Sequence, residues 1–438
     1  MTEVAAGVAE ARVPEINSRA NIWRVVGAAT GGSLLEWYDY FVYGTAAALL
    51  WDKLFFPTLH GVAGLLASYS TFAVGFAVRP IGALLLSNLG DRVGRKPVLI
   101  GTLWLMGLSS AAIGFLPTYK SIGVWAPVLL VLCRVLQGFG TGAQYSGALA
   151  LVTEYAPTRC GLFGAFPAAT ADLAILCASG VFALVHAALS PDQFLAWGWR
   201  IPFLLALLGL ALGQYLRRNI GETPEFLVLK ASGATLAHAP VKELLRNHRP
   251  LILVGMGSSA SVTAGYLFVV WSMSYVTSTL GMSRAVALNA TMFACGLSGL
   301  AAIGFGALSD RVGWRPIMLF GAICAVLVPF PMFWLFQTRN AAMIYLALTL
   351  AYMFGQRAVN SVQPKFFHEL FPARLRYSGI ALSREPLQAL LSGPMPFVAT
   401  ALAAYYGGSY VPVAWLMIGL AMFTLITVIF APRKSTAE

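Results

Sequence analysis

The chain alternates long apolar runs with short polar stretches. From about residue 22 to about residue 431, apolar runs of roughly 20 residues recur, each long enough to cross a bilayer as a helix, and the breaks carry charge, Pro or Gly. About twelve such runs fit the chain. The pattern predicts an all-α membrane protein. Within several runs the polar residues are themselves periodic. Arg134, Gln137, Thr141 and Tyr145 fall at i, i+3, i+7 and i+11, a single stripe on the fourth run. Gln356, Asn360 and Gln363 follow i, i+4, i+7 on the tenth run, with Arg357 beside them, and Glu36, Asp39 or Tyr40, and Tyr43 do the same on the first.

Composition agrees: 58% of the 438 residues are hydrophobic, 11% are charged, and the mean hydropathy is +0.74. Residues 1–20 precede no short apolar segment with a small-residue cleavage site, so the first run is expected to stay in the mature protein. Cys133, Cys160, Cys177, Cys295 and Cys324 stand singly, so neither disulfides nor a metal site is expected. The net charge of +12 is a topology signal. With the N-terminus in the cytoplasm, Arg92, Arg95, Lys96, Arg159, Arg217, Arg218, Arg311, Arg315, Arg374 and most other basic residues fall on one side, against Lys53, Lys120, Arg200, Arg284 and Arg339 on the other. Both termini are therefore expected in the cytoplasm, and the basic excess calls for anionic lipid and not for nucleic acid.

The chain repeats itself. GDRVGRKP at 90–97 returns as SDRVGWRP at 309–316, with Asp310 following Asp91 by 219 residues, and EYAPTR at 154–159 returns as ELFPAR at 369–374. Both pairs follow even-numbered runs, so the halves share one orientation: a parallel repeat of six spans plus six, which in transporters places the substrate between the halves. The expected organisation is a tail over 1–20, a six-helix half over 21–217, a cytoplasmic loop over 218–249, a second half over 250–431 and a short tail over 432–438. In the loop, Thr223 as N-cap, Pro224 and Glu225 predict a short helix, with a disordered linker as the alternative.

These loops resemble the signature of the major facilitator superfamily. GGSLLEWYDYFVYG, FAVRPIGALLLSNLGDRVGRK, RVLQGFGTGAQYSGA, EYAPTR, WRIPF, RRNIGETPEF and ELFPARLRYSG narrow the resemblance to its metabolite:proton symporter family, whose members carry organic acids, proline or betaine. The likeness covers nearly the whole chain. It implies twelve transmembrane helices in two pseudo-repeats, with spans one, four, seven and ten lining a central cavity. Ser87 stands where the first signature usually has Gly, and Trp314 where its second copy would have Arg. The fifth run carries Asp172 and lacks the Gly-Pro-Gly-Gly pattern of proton-coupled drug antiporters, which argues against drug efflux.

Four arginines, Arg79, Arg134, Arg357 and Arg384, fall inside runs, where each costs roughly 2.5 to 3.5 kcal/mol and must face a cavity or a partner. Depth along the helices puts Arg134 level with Glu36 and Asp39, and Arg79 level with Asp172. The first pairing is either part of the transport site or a permanent buried ion pair. Arg384 and Glu385 are chain neighbours that do not share a helix face, so Arg384 is expected to seek another partner, such as substrate. Planar guanidinium groups recognise carboxylates bidentately, so four of them predict a small organic acid anion as cargo. The candidate substrate contacts are Arg79, Arg134, Gln137, Tyr145, Tyr266, Trp271, Gln356, Arg357, Asn360 and Arg384, with the aromatic residues of the seventh run either stacking on substrate or simply packing.

Desolvation and a nearby Arg134 act on Asp39 and Glu36 in opposite senses, which suits groups that change protonation as a cavity opens to either side. All five histidines lie in loops or near span ends. Asp39 is therefore the expected proton carrier, with Glu36 second and Asp172 as rival. The resemblance implies a gate: Asp91, Arg92, Gly94, Arg95, Glu154 and Arg159 in the first half, repeated by Asp310, Arg311, Gly313, Arg315, Glu369 and Arg374. Asp91 should meet the N-terminal end of the eleventh span, and Arg92 should pair with Glu154. Gly27 to Gly31 and Gly138 to Gly142 are spacings that permit close helix packing.

The activity expected is proton-coupled import by alternating access, in a bacterial inner membrane, by a single copy, with organic anion, protons and lipid as partners and no cofactor beyond the proton gradient. A carrier of a zwitterion such as proline or betaine is the alternative, without osmosensing because the chain ends soon after its last run; a non-transporting receptor or an exporter comes third. No HExxH, GxSxG or P-loop pattern suggests an enzyme.

Overall fold

Backbone N–H and C=O groups that meet lipid must be bonded within their own segment, which forces apolar runs of this length into helices. The computed structural model describes residues 19–432 apart from 94, 143, 219–239 and 264, and the regular elements among the described residues are all helical. In chain order the main elements are α1 (Arg19–Leu49), α2 (Val62–Val93), α3 (Arg95–Phe115), α4 (Trp125–Tyr155), α5 (Pro157–Ala188) and α6 (Gly198–Ala211). Then follow α7 (Arg249–Thr279), α8 (Arg284–Val312), α9 (Trp314–Leu327 and Pro329–Gln337, bent by 44°), α10 (Ala341–Leu370), α11 (Leu375–Tyr405) and α12 (Val411–Phe430). Among the described residues, eight helices are long and apolar enough to cross a membrane, or nine if the bent pair is one span.

Local chemistry sets several boundaries. Ser283 caps α8 by accepting from the Val286 N–H at 3.3 Å, and Asn340 caps α10 by accepting from Ala342 at 2.9 Å. Gly313, at φ 86°, separates α8 from α9 in a conformation that other residues rarely adopt. The helix Pro240–Asn247 lies just ahead of α7 and is amphipathic, burying Leu244. The short helix expected around Thr223–Glu225 lies outside the described residues.

Glycines let α2 and α4 touch backbone to backbone. A Cβ on Gly138 would lie 2.1 Å from the Gly75 carbonyl oxygen, and one on Gly142 would lie 2.2 Å from that of Arg79. Gly27 does not act in this way, since a Cβ there would meet open space. The first part of the chain meets the second along α2, α4 and α5 against α8, α10 and α11. At the α5–α8 crossing, a Cβ on Gly161 would sit 2.2 Å from Ser309 Oγ, and one on Gly306 would sit 2.4 Å from the Ala165 Cβ. Gly393 of α11 packs just as tightly on Phe76 of α2, where an added Cβ would come within 2.6 Å of the ring's own Cβ.

Candidate functional site

Between these surfaces lies a cavity. Trp37 and Phe41 of α1 and Ala171 of α5 close one side; Ser259, Val262, Gly265 and Tyr266 of α7 line another. From α10 come Tyr352, Gln356, Arg357 and Asn360, and from α11 come Arg384, Gln388 and Ser392. Three helices loosen into π turns beside it, α7 at Leu267–Trp271, α10 at Ala351–Arg357 and α11 at Gln388–Ser392, and α7 has a further π turn at Tyr275–Thr279. A wider turn rotates the side chains that follow it, which brings Gln356, Arg357 and Asn360 to a single cavity wall.

The four arginines expected inside the apolar runs are all buried and have different partners. Arg79 does not pair with Asp172. Its Nη2 donates to Glu36 at 2.9 Å, and its Nε donates to Glu385 of α11 at 2.7 Å. Asp172 instead forms an ion pair at 2.7 Å with Arg357, which also donates to the Tyr352 hydroxyl. Asp172 is thus not isolated on its helix. Glu36 goes to Arg79 and leaves Asp39 as the acid acting on Arg134. Arg134 donates to Gln137, whose amide donates to Ser110 Oγ at 2.7 Å, and the Asp39 carboxylate lies beside both Ser110 and Gln137. The Arg134 guanidinium lies 3.9 Å from the Tyr43 ring centroid and 5.1 Å from that of Tyr40, a cation–π sandwich in a dry setting. Gly75 makes room for it: a Cβ there would come within 2.9 Å of an Arg134 nitrogen.

Arg384 differs from Arg79 and Arg357, which are ion-paired, and from Arg134, which does not line the cavity. Its guanidinium stacks 3.9 Å from the Tyr145 ring centroid, faces the cavity, and forms no ion pair among the described residues. Its Nε and Nη1 have no hydrogen-bond partner although the side chain is buried. An unpaired buried cation is costly, and a ligand carboxylate is the natural complement.

Trp271 stacks on Tyr275 at 5.0 Å and packs against Phe333, and it does not line the cavity. Tyr266 does. Gln137 and Arg134 sit behind the wall, in the network with Asp39.

Of the expected gate, the side chains of Asp91, Arg92, Arg95 and Arg374, and all of Gly94, lie outside the described residues. In the second copy, Asp310 accepts from the backbone N–H groups of Gly161 at 2.9 Å and Leu162 at 2.8 Å, at the N-terminal end of α5, and Lys365 approaches at 3.6 Å. A carboxylate is favoured there by the free N–H groups and the helix dipole. Glu369 does not take Arg311, which is exposed; it accepts from Trp314 Nε1 at 2.9 Å. The departure from the signature therefore supplies its own contact. Arg315 donates to the Ile429 carbonyl of α12, and Arg159 is exposed.

Residues 29–384 match the family model described as the Major Facilitator Superfamily. The chain belongs to the Major Facilitator Superfamily, in its metabolite:proton symporter family. The shikimate transporter of Escherichia coli is 32% identical over 93% of this chain and 93% of its own length. The inner membrane metabolite transport protein YhjE of the same organism is 34% identical over 94% of each. The proline/betaine transporter of Salmonella typhimurium is 32% identical over 95% of this chain and 84% of its own. Among solved structures, the proton:xylose symporter XylE bound to 6-bromo-6-deoxy-D-glucose superposes with a TM-score of 0.74 at 18% identity, covering 94% of this chain and 96% of that one. This major facilitator is thus a multi-pass membrane protein whose relatives are transporters.

Sequence reasoning missed Glu385 as the partner of Arg79, and Trp37, Phe41, Gln388 and Ser392 as cavity walls. One signal was available: Arg384, Gln388 and Ser392 stand at i, i+4 and i+8, a polar stripe on α11 like those on the first, fourth and tenth runs.

Proposed function

We propose that this major facilitator is a proton-coupled symporter that imports a small organic acid anion by alternating access. The observation that carries the reading is Arg384, a buried guanidinium facing the cavity with two nitrogens unmatched. The amides of Gln356, Asn360 and Gln388 and the hydroxyls of Ser259 and Ser392 surround the same space, which suits hydroxyl groups on a ring or chain. One free cation among several neutral polar groups favours a hydroxylated monocarboxylate over a tricarboxylate. The twelve main helices act as twelve spans in two parallel six-helix halves, with both termini on the cytoplasmic side of a bacterial inner membrane. Asp39 is the first candidate for the coupling proton, Glu36 the second and Asp172 the rival. Asp310 and Glu369 belong to a gate at the α5–α8 crossing. Transport runs on the proton gradient without a cofactor, and one copy suffices.

A zwitterion is the second reading. Trp37, Phe41 and Tyr266 face the cavity with Arg384, an arrangement that would also take a quaternary ammonium on the aromatic faces and a carboxylate on the arginine. Relatives named as proline/betaine transporters make that reading concrete.

Uptake of labelled shikimate, mono-, di- and tricarboxylates, aromatic acids and betaine into proteoliposomes with an acid exterior separates the readings. Accumulation of an acid that collapses with a protonophore supports the first. Betaine uptake alone supports the second, and no uptake of any of them overturns both.

A further inference from the structure

Arg79 is shared between two carboxylates that come from opposite parts of the chain. Glu36 lies on α1 and Glu385 on α11; both are at most 1% exposed, and Arg79 reaches them at 2.9 Å and 2.7 Å. Glu385 also accepts from Arg79 Nη2 at 3.4 Å, while Glu36 Oε2 and Arg79 Nη1 have no hydrogen-bond partner. The groups packed around this triad are Tyr40 from α1, Phe76 from α2, Tyr145 from α4, Tyr266 from α7 and Arg384 from α11. Arg384 acts through space on Glu36, so the local set of Arg79, Arg384, Glu36 and Glu385 is neutral when no anion is bound.

We infer that Glu385 is a coupling residue: when a substrate carboxylate occupies Arg384, the proton that restores neutrality is taken by the Glu36–Glu385 pair, and its arrival weakens the tie between α2 and α11. This deepens the symport reading given above and rests on it for the identity of the anion site. The charge balance is simple. The substrate carboxylate brings one negative charge to a dry set of two cations and two anions, and one proton added to a carboxylate oxygen of Glu36 or Glu385 returns the sum to zero. A protonated carboxyl keeps a weaker contact with Arg79 than a carboxylate does, because the ion pair becomes a bond from a cation to a neutral carboxyl oxygen. On Glu385 the proton weakens the bond that joins the two parts of the chain, so proton uptake and relative movement become the same event. The same triad as a permanent strap would hold its ionic form whatever occupies Arg384.

Two measurements on the full-length protein test this. The first needs no substrate: infrared difference spectra of purified protein on acidification. A protonated-carboxyl band should grow in the wild type and be lost or shifted in both Glu36→Gln and Glu385→Gln; a band unchanged in both overturns the proposal. If Glu385→Gln does not fold, Glu36→Gln reads the same pair, because the two acids share Arg79. The second uses the acid that the wild type accumulates, with labelled shikimate as first probe. Accumulation driven by a pH gradient is compared with homoexchange in the same vesicles. The ratio of accumulation to exchange should fall about tenfold or more in Glu385→Gln and recover in part in Glu385→Asp. A parallel fall in both rates, or no fall in either, overturns the proposal. Absence of accumulation by the wild type would count against the symport reading alone, and the infrared result would still decide the role of the triad.

Discussion

Arg357 of α10 and Asp172 of α5 form a buried ion pair at 2.7 Å that joins the two parts of the chain. The pair faces the cavity through Arg357, yet the guanidinium is already occupied by Asp172 and the Tyr352 hydroxyl. Removing one member leaves a charge in a dry site, which costs more than removing both. Asp172→Ala should lower stability by roughly 3 kcal/mol, and the double change with Arg357→Leu should recover part of that loss. Thermal unfolding in detergent checks it: additive losses would show that the two residues do not interact.

Arg384 is free to take a carboxylate. A charge-assisted hydrogen bond contributes about 1.5 to 3 kcal/mol, so Arg384→Gln should raise the half-saturation concentration for the anion by roughly tenfold to a hundredfold. Unfolding temperature should fall as well, because the Tyr145 ring and the Glu36–Glu385 carboxylates lose a nearby cation. An unaltered half-saturation value would remove Arg384 from the anion site.

Asp39 lies beside Ser110, Gln137 and Arg134. Asp39→Asn keeps the shape and the ability to hydrogen-bond but cannot ionise. Gradient-driven accumulation should be lost while exchange without a gradient persists. Proton-driven uptake at the wild-type level in this variant would sink the assignment.

At the α5–α8 crossing, Gly161 and Gly306 allow contact that no larger residue permits. Gly161→Ala places a methyl group 2.2 Å from Ser309 Oγ and 2.7 Å from the Asp310 carboxylate, so the two helices must separate. The variant should spend less time in the form seen here. Cysteines introduced near this crossing should react faster with a membrane-impermeant maleimide than in the unsubstituted protein.

Asp310→Asn tests the same contact from the other side. It removes the charge that the α5 N-terminus favours, a loss of about 0.3 to 1 kcal/mol, and should slow turnover more than it weakens substrate binding. A wild-type turnover rate would contradict a gating role.

The sequence by itself determined the class of fold, because lipid leaves a long apolar run no alternative to a helix and the repeated DRVG loops reveal the duplication. It also marked most of the chemistry, since charges cannot lie in apolar runs without a purpose; Arg79, Arg134, Arg357, Arg384 and both acids of α1 were visible as exceptions, whereas the buried Arg376 was not. It could not say who meets whom. Depth along a helix placed Arg79 near Asp172 and Glu36 near Arg134, but partners also depend on helix rotation and on which helices touch, and the structure exchanges them: Glu36 with Arg79, Asp172 with Arg357. Rotation is set by features that pattern alone does not register, such as Gly75 vacating space for Arg134 and π turns shifting the faces of α10 and α11. Glu385 shows this most clearly. In the sequence it is the neighbour of Arg384, whereas in the fold it belongs to Arg79, because adjacent positions on a helix point about 100° apart and only tertiary packing decides what lies in each direction.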